Sequence, residues 1–166
     1  MLDGLSKCVL ALTTFGIIRV LPVEQYARFT LMFTSVLMGY QTLCGLIERL
    51  YISDASEYST YGRKAFGLTL IFTSLLLAAY LLGHVSMADA SLGLIVFLIC
   101  THYQFQRIKL QRESRFFAFM MVDFGRNGLW LLCIALLWWW GRLDALTIMG
   151  VYGFSAMIMA MTHRQG

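Results

Sequence analysis

Residues 116–141 read FFAFMMVDFGRNGLWLLCIALLWWWG. The run is almost wholly apolar, yet Asp123, Arg126 and Asn127 sit inside it. A helix crossing the roughly 30 Å hydrocarbon core of a bilayer needs about 20 such residues. Without the polar trio, the stretch from Gly128 to Gly141 holds fourteen residues, too few to span. The trio therefore belongs within the span. Asp123 and Arg126 are three apart, and Asp123 and Asn127 four apart, so all three share one helical face. A lone charge near the bilayer centre costs at least about 2.5–3.5 kcal/mol on insertion scales. That face is expected to turn into the protein, as an ion pair or as the wall of a wet cavity.

The rest of the chain has the same character. Of its 166 residues 59% are apolar and 13% charged, and mean hydropathy is +0.70. Soluble domains are nearer about 45–50% apolar and about 25% charged. Helical spans are expected at residues 5–21, 29–47, 65–83, 88–103, 116–141 and 145–161. The fourth is weakened by Asp89 and several polar residues. None of these runs alternates as a membrane strand does. The expected fold is an all-α integral membrane protein, a single six-helix lobe over residues 1–166 with both termini on the cytoplasmic side.

Charge supports that count. Six spans put Lys7, Arg49, Arg63, Lys64, Arg107, Lys109, Arg112, Arg115 and Arg164 on one side, nine in all, and Arg19, Arg28 and Arg142 on the other, three in all. Positive residues are retained on the cytoplasmic side. The net charge of +4 therefore reads as an orientation signal, and nucleic acid is not an expected partner. Trp138, Trp139 and Trp140 end the fifth span just before Arg142, where indoles favour the headgroup boundary. Residues 1–19 do not read as a signal peptide, because Arg19 closes the short apolar run with no small-residue cleavage site after it.

Polar side chains recur on helical faces. Thr30, Thr34, Gln41 and Glu48 form one stripe in the second span, and Tyr152, Ser155 and Thr162 another in the sixth. Either interhelical hydrogen bonds or a polar cavity accounts for them. Gly150, Gly153, Ala156 and Ala160 offer surfaces for close helix approach. Cys8, Cys44, Cys100 and Cys133 lie in apolar runs without paired spacing and read as small packing residues. His84, His102 and His163 show no metal-ligand spacing. No nucleophile–base set or aspartate-rich phosphate motif stands at usable spacing, so an enzyme is not expected.

The stretch Arg19–Phe29, RVLPVEQYARF, resembles an element between the first two helices of polysaccharide flippases. These are the Wzx-type O-antigen (lipopolysaccharide) translocases of the multidrug/oligosaccharidyl-lipid/polysaccharide exporter superfamily. Their element runs Arg-Leu-(Gly/Ser)-Pro-Glu-Glu-Tyr-Gly. Arg19, Leu21, Pro22, Glu24 and Tyr26 match in type and order. Val20 and Val23 depart from the family's choices, and Ala27 stands for the usual Gly. The close of the second span, CGLIERLYI from Cys44 to Ile52, and the basic segment from Gln106 to Arg115 are similar as well. The likeness is to the N-terminal six-helix lobe only; full-length members carry two such lobes.

The resemblance implies transport of a polyprenyl-diphosphate-linked oligosaccharide across the bacterial inner membrane for polysaccharide biosynthesis. The lipid tail would stay in the bilayer while the headgroup crosses a cavity between lobes that rock against each other. A diphosphate in low dielectric needs cations. Arg126 is the first candidate and Arg49 the second. Asp123 would hold Arg126 or accept a coupling proton, and Asn127, Glu48 and Gln41 complete the candidate substrate-binding set. No cofactor is expected beyond coupling to a proton or sodium ion. A parallel homodimer or a second lobe would supply the facing half. The alternative from another class is a non-transporting scaffold or accessory subunit of a polysaccharide assembly complex, or a truncated remnant. A cavity around Arg126 and Asp123 favours transport, and a sealed ion pair favours the scaffold.

Overall fold

The computed structural model describes residues 2–53, 58–83 and 85–162; the side chains of residues 2, 3, 43, 46–66, 68 and 69 lie outside that description. Among the described residues all regular structure is helical. There are six helices: α1 (Leu2–Val20), α2 (Val23–Ser53), α3 (Tyr58–Leu81), α4 (Met87–Arg112), α5 (Phe116–Trp139) and α6 (Ala145–Thr162). The expected order holds, but several helices outrun their expected spans. α2 has 31 residues, and α4 continues through the basic segment as far as Arg112. A helix satisfies its own backbone whether lipid or water surrounds it, so apolar runs mark the lipid-embedded part and understate the helix.

The breaks between helices follow local chemistry. Pro22 lacks an N–H and has a fixed φ, which suits the first turn of a helix. Its carbonyl accepts from Tyr26 N at 2.9 Å, starting α2. Ser86 Oγ accepts from Asp89 N at 3.1 Å and caps α4. Asp144 and Thr147 cap α6 reciprocally: Thr147 N donates to Asp144 Oδ1 at 2.7 Å, and Asp144 N to Thr147 Oγ1 at 3.0 Å. Just past the end of α5, Gly141 has a φ of +65°, which suits the residue that lacks a Cβ.

Contacts near helix ends define the topology. Arg28 grips Asp89 through both carboxylate oxygens, at 3.0 Å from Nε and 2.7 Å from Nη2. Ala145 N donates to Gln25 Oε1 at 3.3 Å. The starts of α2, α4 and α6 thus gather at one end. At the other end Tyr103, late in α4, meets Asp123, early in α5. α1 packs alongside α5, with Ser6 beside Asn127 and Val20 in the same groove as Trp138. The chain therefore runs up and down, with α2, α4 and α6 parallel.

α4 is the hub and packs on α2, α3, α5 and α6. Its expected weakness is explained by where its polar groups sit. Asp89 lies in the first turn, paired with Arg28, while Thr101 and Gln104 are buried. These side chains lower hydropathy without facing lipid. Leu12, Phe15, Leu31, Leu75, Ile95 and Leu132 are exposed instead. A surface this apolar suits a bilayer rather than water. Among the described residues α4, α5 and α6 are long and apolar enough to cross a membrane, and Leu70–Leu81 is a shorter apolar stretch. α1 carries Asp3, Lys7 and Arg19 along its 19 residues. These properties mark a membrane protein.

The packing residues divide. Cys44 and Cys100 are buried, whereas Cys133 is half-buried and Cys8 exposed. Ala156, Ala160 and Gly153 are buried in α6. A Cβ on Gly153 would stand 3.0 Å from Val96 Cγ2, and buried Val96 is stiff at χ1. Gly153→Val is therefore expected to cost about 1–3 kcal/mol by overpacking. Gly150→Val, with nothing within 4 Å of the new Cβ, should cost little. Thermal unfolding in detergent, read by a thiol-reactive dye on the buried Cys44 and Cys100, checks the difference.

Candidate functional site

α5 delivers Asp123, Arg126 and Asn127 to the bundle interior on the face that their spacing predicts. Arg126 is only 9% exposed. Its Nε and Nη2 donate to Asn127 Oδ1 at 3.2 and 3.1 Å. Asn127 Nδ2 in turn donates to Ser6 Oγ at 2.9 Å and Ser6 O at 3.2 Å. The guanidinium carbon lies 4.9 Å from the Tyr103 ring centroid and 5.5 Å from that of Tyr152. Ring quadrupoles attract a desolvated cation by about 2 kcal/mol or more. Arg126 is thus hydrogen-bonded by a neutral amide and flanked by two aromatic faces, with the Asp123 carboxylate 4.0 Å away.

Asp123 forms an ion pair with Arg126, in keeping with the reading that it holds Arg126, but a loose one. The two side chains approach only to 4.0 Å. Closer partners come from α4. Tyr103 OH donates to Oδ1 at 2.6 Å, and Arg107 Nε lies 2.9 Å from Oδ2. That second contact is ionic rather than an aligned hydrogen bond, since the buried Arg107 Nε–H finds no acceptor in line. Arg107 also stacks on Phe119, 4.2 Å from the ring centroid. Spacing of three within one helix brought Asp123 and Arg126 to the same face, but long side chains on that face lean toward neighbouring helices as readily as toward each other.

A cavity of about 350 Å³ opens beside these residues, lined from α1 by Ser6, Lys7 and Leu10, from α2 by Tyr40 and Gln41, from α4 by Gln104 and Arg107, and from α5 by Asp123, Arg126 and Asn127. Four of the six expected site residues therefore meet here: Gln41, Asp123, Arg126 and Asn127. Glu48 and Arg49 continue α2, and their side chains lie outside the described residues. The charged side chains among its described lining residues are Lys7, Arg107, Arg126 and Asp123. A larger groove of about 850 Å³ lies between α2 and α3, but Leu31, Met38, Phe72 and Leu75 dominate it and its lining contains no titratable side chain. Size alone does not locate chemistry here.

The cavity is closed on one side and splayed on another. Behind Arg126, Tyr152 and Tyr40 share a hydroxyl contact at 3.3 Å. Trp130 and Phe33 pack on Tyr152 with centroids 5.1 and 5.0 Å away, and Phe29 stacks on Phe33 at 5.2 Å. This aromatic column fills the interior toward the end that carries Arg28 and Asp89. α1 packs on α5, and α2 on α3, α4 and α6, and the cavity lies in the cleft between α1 and α2. On α2, Thr34 and Gln41 are exposed and Thr30 half-buried along that stripe. In α6 the stripe divides: Tyr152 and Ser155 are buried, and Thr162 is exposed.

No protein-family model, curated protein or solved structure matches this chain. Lys7 and Arg107 were read from sequence only as orientation signals, and Ser6, Tyr40 and Gln104 carried no signal. Their convergence depends on how α1, α2 and α4 pack, which no single-helix periodicity encodes.

The geometry yields a water-access test. In a Cys8→Ser background, Gln41→Cys should react with a membrane-impermeant methanethiosulfonate reagent applied to the face that carries the termini, and not from the opposite face. Ser155→Cys, at a position 0% exposed, should stay unlabelled from both.

Proposed function

We propose that this chain is a transporter lobe of the polysaccharide-flippase type, with six membrane spans and both termini in the cytoplasm. It translocates a lipid-linked oligosaccharide across the bacterial inner membrane. The observation that carries this reading is the pair of guanidinium groups on the cavity wall: among the described residues Arg107 and Arg126 both line it, beside the carboxylate of Asp123. Clustering cations inside a lipid-solvated bundle is costly and is repaid when an anion binds. Phosphate oxygens suit guanidinium groups, whose fork of N–H donors fits them bidentately.

The diphosphate would enter from the end that holds Ser6 and Lys7 and lie against Arg126. At about 350 Å³, the cavity falls within the range of small-molecule sites, about 300–1,000 Å³. It fits a diphosphate headgroup with its first sugar rather than a whole glycan. Further sugars would extend from the cavity past Gln41 and along α2, where Thr34 and Thr30 offer hydroxyl partners. The lipid tail would remain among the exposed apolar side chains. A second lobe, or a parallel copy of this chain, would face the cleft, and rocking of the two would expose the headgroup to each side in turn. A scaffold role suits a sealed ion pair, whereas here Asp123 and Arg126 border open space.

Reconstituted vesicles that report flipping of a polyprenyl-diphosphate-linked sugar test the reading. Arg126→Ala removes charge-assisted hydrogen bonds worth about 1.5–3 kcal/mol, so flipping should fall about 10- to 150-fold. Arg126→Lys should retain part of the activity. Flipping unchanged in Arg126→Ala would overturn the proposal.

A further inference from the structure

Asp123 stands where a ligand's anionic oxygens would go. Its Oδ1 accepts from Tyr103 OH at 2.6 Å, its Oδ2 lies 2.9 Å from Arg107 Nε, and Arg126 Nη2 is 4.0 Å from Oδ1. The carboxylate is 17% exposed and borders the cavity on the same wall as both arginines. Its fit there is incomplete. Arg107 Nε–H is buried with no acceptor in line, and Arg126 keeps its hydrogen bonds for the neutral Asn127. A buried donor without an aligned acceptor is unfavourable. The two guanidinium groups are therefore held near an anion that satisfies neither of them fully.

We propose that Asp123 is an internal counter-anion, which occupies the cationic wall when the cavity is empty and is displaced from Arg107 and Arg126 by the phosphate oxygens of the ligand. The inference rests on the anion-binding reading of the cavity given above. A phosphate carries more charge and more acceptor oxygens than a carboxylate, and it can align with donors that Asp123 leaves unsatisfied. Two anions cannot share the same cations at low dielectric without strong repulsion, so binding and displacement are coupled. Tyr103 OH can keep its hydrogen bond to the displaced carboxylate and thereby limit its travel. The return of Asp123 to the arginines helps expel the ligand. A transport site needs this, since binding must be strong enough to admit the cargo and weak enough to release it. Asp123 is thus a positioning residue that lowers affinity. A purely structural brace would do the reverse, because its loss would loosen the arginines and weaken binding.

The full chain in nanodiscs of zwitterionic phospholipid, titrated with inorganic pyrophosphate and separately with farnesyl diphosphate, distinguishes the two roles. Asp123→Asn, which still accepts from Tyr103, should bind about tenfold more tightly than the wild type and flip more slowly. Tightening with both probes assigns the contact to the diphosphate itself. Tightening with the prenylated probe alone assigns it to lipid-linked diphosphates. Affinity unchanged or weaker in Asp123→Asn overturns the counter-anion role and leaves the anion site standing. If neither protein binds either probe, the anion reading fails and this inference with it. Should Asp123→Asn not assemble, the wild type alone decides. Infrared difference spectra on adding pyrophosphate, with aspartate isotope-labelled, should show a carboxylate leaving its guanidinium partner, and a silent carboxylate region overturns the proposal.

Discussion

A guanidinium enclosed by helices that lipid surrounds is the constraint on which this structure turns. Arg126 is nine-tenths buried, so most of its stabilisation has to come from protein groups. The protein meets the demand with an amide and two aromatic faces, supplied by Asn127, Tyr103 and Tyr152. Each of those in turn needs an anchor. Asn127 is fixed by Ser6 at the start of α1, Tyr103 by Asp123, and Tyr152 by Tyr40 and the Trp130–Phe33 column. One buried charge thus ties five helices together: α1, α2, α4, α5 and α6.

The arrangement also separates the two ends of the bundle. At one end Arg28 and Asp89 form a bidentate ion pair that joins α2 to α4, and opposite charges there are matched. At the other end, among the described residues, Arg107 and Arg126 stand with Asp123 on the wall of the cavity. A closed pair braces a fold, whereas guanidinium groups beside open space can meet a ligand. The aromatic column between them is tightly packed, so the cavity reaches part-way into the bundle and stops. The two ends of the bundle are thus built differently.

Much of the fold was legible in the sequence because lipid imposes long apolar runs. The helical class, the order of the helices and the inward turn of Asp123, Arg126 and Asn127 followed from hydropathy and spacing, but among the described residues α4, α5 and α6 alone, and not six helices, are long and apolar enough to cross a membrane. α4 was undervalued because hydropathy averages over a helix and cannot tell a polar group buried in protein, such as Thr101 or Gln104, from one facing lipid. Helix ends were missed where α2 and α4 pass beyond the apolar run. The site was legible only as far as one helix carries it. Arg107 as the close partner of Asp123, and Ser6 and Lys7 as cavity wall, depend on α1 and α4 docking beside α5. Those contacts span from 16 to more than 100 positions along the chain and leave no periodic trace.

The central claim is that phosphate oxygens meet the Arg126 guanidinium inside the bundle. Solid-state NMR of dipolar coupling between ³¹P of a polyprenyl diphosphate and ¹⁵N-labelled arginine side chains, with the chain in lipid, measures that contact directly. The account predicts a guanidinium–phosphorus coupling at hydrogen-bonded distance that weakens in Arg126→Lys to the share that Arg107 contributes. A saturating diphosphate whose phosphorus couples to no guanidinium, or couples identically with Arg126 replaced, would contradict it.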